Sequence, residues 1–505
     1  VISSYFAEGF PYAMANSLVE VLFRDLGASL GMVGLTSLFH LPWNLKFLWA
    51  PWMERRASMR RWIWSLELGL ALVFTAVSAL LLALGEHEWS SWGLIALSLL
   101  FGAVALLSSS HDVAIDAHYI GALDERSQAR YVGLRNAAYK LASILARGPL
   151  LLLIGAFDWT LAFFLVALLH VGLAAFHRAQ LPQAGGSLRP GAPANGAIDT
   201  VFALKEADSG AAQEGSLPWS DRGPPSLRRL GTSFSWVLVF GGGLLLLYLG
   251  VSSQLRLDSS GIISIILAML AALFVASRKS LLLRPNMPSA LKDLLGRPGI
   301  TSVLLFVLTF RLGESFLQKM KWPFLSEVVG MSKGEYGTIN GTLAVLTGLL
   351  GVTVGGGLIS RYGLRRWFWP CIAAQNSLNL LYVGVALFPE TYGAAHPWLK
   401  TLGAAVVLID ECGSGFGSAL LMVYLMRLVA GEHKASEYAL LTALMSFGFT
   451  FAGATSGFFA ETFGYAGFFA FSFLLTFPMM ALAPRAMRAM EASHSARGGA
   501  RVPSV

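Results

Sequence analysis

Ionisable side chains stand inside long apolar runs of this 505-residue chain, although a charge at the centre of a bilayer costs about 2.5–3.5 kcal/mol even on the lenient insertion scale. The first run carries Glu8 beside Gly9 and Pro11, the second Lys46 and the third Glu67. Asp112 and Asp116, four apart, share one helix face; Arg135, Lys140 and Arg147 follow, the last two on a common face. Later runs hold Arg311 and Glu314 with Gln318 in register, then Asp410 and Glu411, with Glu411, Ser414 and Ser418 on one stripe. Acids and bases gathered in a low-dielectric cavity can carry a proton and grip an anion. We therefore expect proton coupling at Glu8, Asp112, Asp116 and Glu314, and substrate contacts at Lys46, Arg135, Lys140, Arg311, Gln318 and Glu411. Tyr12 and Trp43 add rings able to stack on sugar or peptide groups, as do Tyr5, Trp49 and Trp322, although most such residues in membrane chains belong to interfacial belts. The competing structural reading pairs these charges with one another. It makes Asp112, Asp116, Arg130 and Arg361 a latch near the cytoplasmic helix ends, gives Glu67 a basic loop as partner and lets Arg147 snorkel.

Other chemistries find less support. His111 and Asp116 form an H-x-x-x-x-D string that resembles the signature of glycerolipid acyltransferases, but it lies in a polytopic span and no companion block follows. His111, Asp112 and His118 point to different helix faces, so no metal site is expected. Gly413, Gly415 and Gly417 follow no strand and read as close helix packing rather than a nucleotide loop. Cys371 and Cys412 form no metal or redox spacing. No catalytic residue and no cofactor are expected.

The elements that must position these charges are membrane helices. Hydrophobic residues make up 55% of the chain and charged residues 13%, about half the usual share. Apolar runs long enough to span lie near 1–23, 29–50, 62–84, 91–120, 131–156 and 158–177, then near 234–251 and 260–277, then near 300–325, 335–359, 366–388, 397–427, 434–460 and 465–484. This divides the chain into a six-helix bundle (1–178), a Gly/Pro/Ala/Ser-rich flexible linker (179–232), two extra helices with a basic connector (233–299), a second six-helix bundle (300–488) and a tail (489–505). With the N-terminus cytoplasmic, 26 of the 37 Lys and Arg fall on inside segments, whereas Arg24, Arg256, Lys319, Lys321, Lys333 and Lys400 fall at outside loops and helix ends. The positive-inside rule thus predicts both termini in the cytoplasm, and cations spread over many loops exclude a nucleic-acid face despite the net charge of +8. No signal peptide precedes Tyr5, and a few residues are expected to be missing before it. The turns WAPWMERRASMRRW and GGGLISRYGLRRW occupy equivalent places in the two bundles, as parallel transporter repeats require. Glu54, Arg55, Gly357, Arg361 and Arg365 in these turns, with Arg130 in the inside loop at 126–130, are the expected gate residues.

Four strings carry a resemblance: Arg24-Asp25 ending the first helix, L-P-x-x-x-K-F-L-W-A-P from Leu41 to Pro51, DVAIDAH around Asp112 and Asp116, and EYALLTALMSFG from Glu437 to Gly448. Together they resemble the peptide/acetyl-CoA transporter group of the major facilitator superfamily, which includes the AmpG-type muropeptide permeases. The likeness covers roughly 1–178 and 300–485, and the two extra helices also resemble the AmpG type. His111 stands where that group usually has Gln, and Glu54-Arg55 where it usually has Asp-Arg. The resemblance implies an all-α integral membrane protein of the major facilitator fold, about fourteen spans in all. It further implies a monomer in the bacterial inner membrane that imports anhydro-muropeptides with protons by alternating access. Another organic anion, such as acetyl-CoA or a siderophore-like compound, is the alternative cargo; an integral membrane acyltransferase or a non-transporting sensor is the alternative of another class.

Overall fold

Within hydrocarbon a backbone must satisfy its own N–H and C=O groups, which long runs of Leu, Val, Phe and Ala do by coiling into helices. A computed structural model describes residues 1–46, 49–50, 52–53, 57–85, 89–123, 125–182, 294, 296–297, 299–429 and 434–498. Every regular element among them is helical, and nine helices are long and apolar enough to cross a membrane. The N-terminal half contains α1 (2–25), α2 (30–45), α3 (Met59–Leu84), α4 (Ser91–Ala122), α5 (125–156) and α6 (Trp159–Gln180). The C-terminal half contains α7 (Ile300–Glu327), α8 (Lys333–Tyr362), α9 (Leu364–Tyr392), α10 (Trp398–Leu428), α11 (434–463) and α12 (465–498). The two extra spans expected near 234–251 and 260–277 lie outside the described residues, as does nearly all of the expected linker.

Several helices are interrupted where the sequence is least able to continue them. A π turn at Met14–Leu18 divides α1 three residues after Pro11, and a 3-10 turn at Thr36–His40 divides α2 before Pro42. Helix α5 breaks at Gly148 before Pro149, and α7 at Phe310–Arg311. Gly464, at φ 65°, turns α11 into α12. The last helix runs on to Gly498, past the expected start of a tail at 489, because its Ala-, Met- and Arg-rich sequence favours helix without requiring an apolar face.

The termini of the two halves lie at one end of the bundle; the loops around 26–29, 157–158, 328–332, 393–397 and 464 lie at the other, here called the far end. Two seams join the halves. Along α2 and α11, a Cβ on Gly457 would sit 1.8 Å from the Leu30 carbonyl oxygen and one on Gly34 2.9 Å from the Gly457 nitrogen. Along α5 and the π turn Gly337–Leu343 of α8, a Cβ on Gly341 would sit 2.1 Å from the Arg147 carbonyl oxygen. Backbone therefore meets backbone at both seams, an approach only small residues allow. The expected packing role of Gly413, Gly415 and Gly417 holds too: added Cβ atoms there would strike Ala374 O at 2.3 Å, Gly348 O at 2.4 Å and the Gln375 side chain.

Replacing Gly457 by Val wedges the α2–α11 seam. Spin labels at Ser90→Cys and Thr391→Cys, exposed far-end positions in the two halves, are expected to move apart in the Gly457→Val background; an unchanged distance distribution refutes the seam.

Candidate functional site

The irregular first helices create the centre of the molecule. The π turn of α1 presents the Asn16 carbonyl to Lys319 of α7 (2.9 Å), whose Nζ also lies 3.2 Å from Glu20 Oε2. Asn16 Oδ1 meets the His40 ring at 3.0 Å, and the other ring nitrogen meets Ser446 Oγ of α11 at 3.0 Å. Ser446 in turn donates to Asn44 Oδ1 at 2.6 Å. This polar chain ties α1, α2, α7 and α11 together across the two halves.

Beside it opens a cavity of about 350 Å³. One wall is aromatic: Tyr12 stands edge-on to Trp43 at 5.0 Å and near Tyr139 at 5.8 Å, while Trp43 stacks on His40 at 5.9 Å. The other wall is ionic. Lys46 pairs with Asp112; Arg135 reaches Asp116 Oδ1 at 3.0 Å, lies 4.4 Å over the Tyr5 ring, and Tyr5 donates to the same Asp116 oxygen at 2.9 Å. Glu8, buried, brings a carboxylate oxygen within 4.8 Å of those of Asp112 and Asp116. Its Oε2 has no hydrogen-bond partner among the described residues. These three acids could converge on one cation, and the cations beside them are Lys46 and Arg135.

The residues that line the cavity belong to the N-terminal half, and the charges of the C-terminal half lie beside it, Arg311 close enough to act electrostatically on Tyr12. Arg311 grips Glu314 through two bonds (2.8 and 2.6 Å), and Gln375 and Ser414 also donate to Glu314 at 2.9 and 2.5 Å. Lys321 lies between Asp410 Oδ2 (2.8 Å) and Glu411 Oε1 (2.7 Å), with Gln318 on Glu411 at 3.1 Å and Tyr382 on Asp410 at 3.2 Å. Lys140 is exposed and Arg147 half-buried on α5, and among the described residues neither pairs with a carboxylate. Arg147 lies close enough to act electrostatically on Tyr12, Glu20, Tyr336 and Glu411. It therefore points between the halves instead of snorkelling.

Most of the residues singled out by sequence thus line this central region: Glu8, Tyr12, Trp43, Lys46, Asp112, Asp116, Arg135, Lys140, Arg311, Glu314, Gln318 and Glu411. The expected gate residues do not join it. Gly357, Arg361 and Arg365 are exposed at the terminal end of α8 and the start of α9, and a Cβ on Gly357 would meet open space. Glu54 and Arg55 lie outside the described residues, as does the Arg130 side chain.

Several placements differ from the expectation. Lys319 and Lys321 are 4% and 0% exposed inside α7, not at an outside helix end, because Glu20, Asp410 and Glu411 compensate them. Glu67 has histidine partners in place of a basic loop: its Oε1 lies 2.6 Å from His177 Nδ1 and 3.3 Å from His111 Nε2, all three fully buried. His111 is thereby turned away from Asp116, so the H-x-x-x-x-D string forms no dyad. Glu20, His40, Tyr139 and Lys321 escaped the sequence reading. Glu20 interrupts LVEVLF and was open to the same argument as Glu8.

The far end carries ionic contacts between the halves. Arg24 Nε lies 2.5 Å from Glu327 Oε1, and Tyr465 donates to Glu327 Oε2 at 2.8 Å. Asp25 Oδ2 lies 2.7 Å from Lys333 Nζ and accepts from Trp159 Nε1 at 3.0 Å. Partly exposed pairs are worth about 0.2–1 kcal/mol each. Removing both with Asp25→Asn and Glu327→Gln is expected to raise far-end thiol labelling at Ser90→Cys severalfold; unchanged labelling means the pairs do not hold the halves.

No family model matches the chain. It is 31% identical over 192 residues to the anhydromuropeptide permease of Escherichia coli (strain K12), a match covering 38% of each protein; the similarity spans about two fifths of that relative's length. It is 19% identical over 474 residues to the putative transporter AmpG 4 of Rickettsia felis (strain ATCC VR-1525 / URRWXCal2), covering 94% of this chain and 92% of that one. Among solved structures it is similar to the peptide transporter POT in complex with sulfate (TM-score 0.61, 14% identity, 97% of this chain and 94% of that one). It is also similar to a bacterial homologue of the human lysosomal transporter Spinster, in an inward-facing and unoccupied conformation (TM-score 0.54, 13% identity, 100% and 98%). The fold is that of the major facilitator superfamily, in a multi-pass membrane protein, and AmpG-type permeases are its relatives, as the sequence strings implied.

Proposed function

We propose that this chain is a secondary transporter that imports an anionic sugar-peptide of the anhydromuropeptide class, with protons, across a bacterial inner membrane. The observation that carries this reading is the cavity of about 350 Å³ in which an aromatic wall faces charges of both signs. Aromatic faces suit sugar rings, and Lys140 and Arg147 of α5, which pair with no carboxylate among the described residues, suit the carboxylates of a peptide. The name of the Escherichia coli relative, an anhydromuropeptide permease, agrees with such a cargo. Both termini are cytoplasmic in this reading, on the positive-inside rule. The far end is then periplasmic, and the pairs Arg24–Glu327 and Asp25–Lys333 close the periplasmic side.

The transport step follows from the charges. Glu8 is the acid in its cluster without a cation of its own, so it takes up a proton most readily when the cavity gains negative charge. A substrate carboxylate that settles on Lys140 or Arg147 supplies that charge. Binding of substrate and proton then favour each other, and linkage makes the preference reciprocal. The loaded halves rock about the glycine seams, breaking the far-end pairs when the periplasmic side opens. Asp112 and Asp116, already engaged by Lys46 and Arg135, hold the geometry around Glu8. Glu314, held by four donated bonds, is a fixed anion that orients Arg311.

The test is uptake of radiolabelled GlcNAc-anhydroMurNAc-tripeptide by vesicles containing the full chain, inside-negative and acid outside, with and without a protonophore. Saturable uptake that collapses with the protonophore is expected; uptake no higher than in empty vesicles, from folded and oriented protein, removes the assignment. Glu8→Gln is expected to lower gradient-driven accumulation about tenfold or more, within the range of allosteric couplings, while substrate exchange across the membrane persists.

A further inference from the structure

The charge clusters of the two halves, one lining the cavity and the other beside it, share one imbalance. In the N-terminal half three acids, Glu8, Asp112 and Asp116, meet two bases, Lys46 and Arg135. In the C-terminal half Arg311 is consumed by Glu314, which leaves the single ammonium of Lys321 to serve both Asp410 and Glu411. Lys321 is 0% exposed and Asp410 2%, so water does little to settle the difference. Each acid keeps one neutral donor, Tyr382 for Asp410 and Gln318 for Glu411. Among the described residues, the other charged or titratable groups facing this triad are Glu20 on α1, itself paired with Lys319, Arg311 and Glu314 on α7, Tyr336 on α8, and Lys140 and Arg147 on α5. A buried ammonium flanked by two carboxylates carries one negative charge too many, and a proton on either carboxylate removes it.

We propose that Lys321, Asp410 and Glu411 form a second proton-binding centre, so that each transport cycle moves two protons, one on Glu8 and one shared by Asp410 and Glu411. This rests on the transport reading given above. The charges balance. In the empty cavity the two odd acids are ionised and offset Lys140 and Arg147 across the space between them. A substrate bearing two carboxylates takes over both bases, and one proton enters each odd acid. Release of the two carboxylates returns the bases and discharges both protons on the same side. Glu411, the more exposed of the pair at 19% of its side chain, passes the proton to and from the cavity, while Asp410 holds Lys321 in place.

Two measurements on the full chain in lipid separate this proposal from the one it rests on. Infrared difference spectra titrated without substrate are expected to show two buried protonated-carboxyl bands, one lost in Glu8→Gln and the other lost in Asp410→Asn or Glu411→Gln. Either of the latter variants leaves one acid on Lys321 and a neutral pair, so both should fold. A second band that survives both variants, or a wild type with only the Glu8 band, overturns the second centre. Loss of the Glu8 band alone from the wild type instead overturns the coupling role given to that residue. In vesicles, the proton-to-substrate ratio from reversal potentials with the same tripeptide is expected to fall from two to one in Asp410→Asn. A ratio of one in the wild type, or one unchanged by the substitution, overturns the proposal. If the wild type moves no tripeptide, the cargo assignment fails and the infrared result alone decides the second centre.

Discussion

An ionised side chain in a membrane interior must find its counter-charge within reach, and that requirement organises this molecule. Lys321 is fully buried because Asp410 and Glu411 come to it from α10, and Lys319 because Glu20 comes from α1. Arg311 is closed on Glu314 in its own turn. These pairs link α1, α7 and α10 to one another in addition to their apolar contacts. Breaking one partner of a buried pair is far costlier than forgoing the pair altogether. The positions of the helices and the positions of the charges are therefore one problem with one solution.

Much of that solution was legible. Long apolar runs bounded by basic turns gave most of the described helices to within a few residues. The i,i+4 spacing of Asp112 and Asp116 put both on one face, and in the structure both carboxylates come within 4.8 Å of that of Glu8. What the sequence did not disclose is which partner each charge meets. Lys319 and Lys321, near the end of an apolar run, read as interfacial, since the acids that draw them inside stand hundreds of residues away or ninety residues downstream. Glu67 looked like a partner for the nearby basic loop, and the buried His111 and His177 reach it only through the packing of α3, α4 and α6. Helix breaks behaved similarly. Pro11 beside Glu8 signalled irregularity in the first helix, but nothing local told a π turn from a kink, and the breaks before Pro42 and at Gly148 were not anticipated.

The irregular turns are where the two halves communicate. The π turn of α1 contains Asn16, whose carbonyl accepts from Lys319. The 3-10 turn of α2 ends at His40, whose ring spans from Asn16 to Ser446. The polar chain between the halves is thus assembled from backbone defects that each half would lack if its helices were ideal, in keeping with the frequent placement of such turns at functional sites.

The glycine seams have a mechanical consequence. Interdigitated side chains resist sliding, because every knob must climb out of its hole before the surfaces can shift. At Gly34 against Gly457, and at Gly341 against Arg147, there are no knobs: smooth backbone rests on smooth backbone. Such a surface bears load without gearing. Because these contacts lie toward one end of the bundle, a small tilt about them is magnified along the length of each half. In the rocking motion proposed above, these seams serve as a fulcrum with little friction, its arm short on the side of the ionic clasp and long on the side that carries both chain termini.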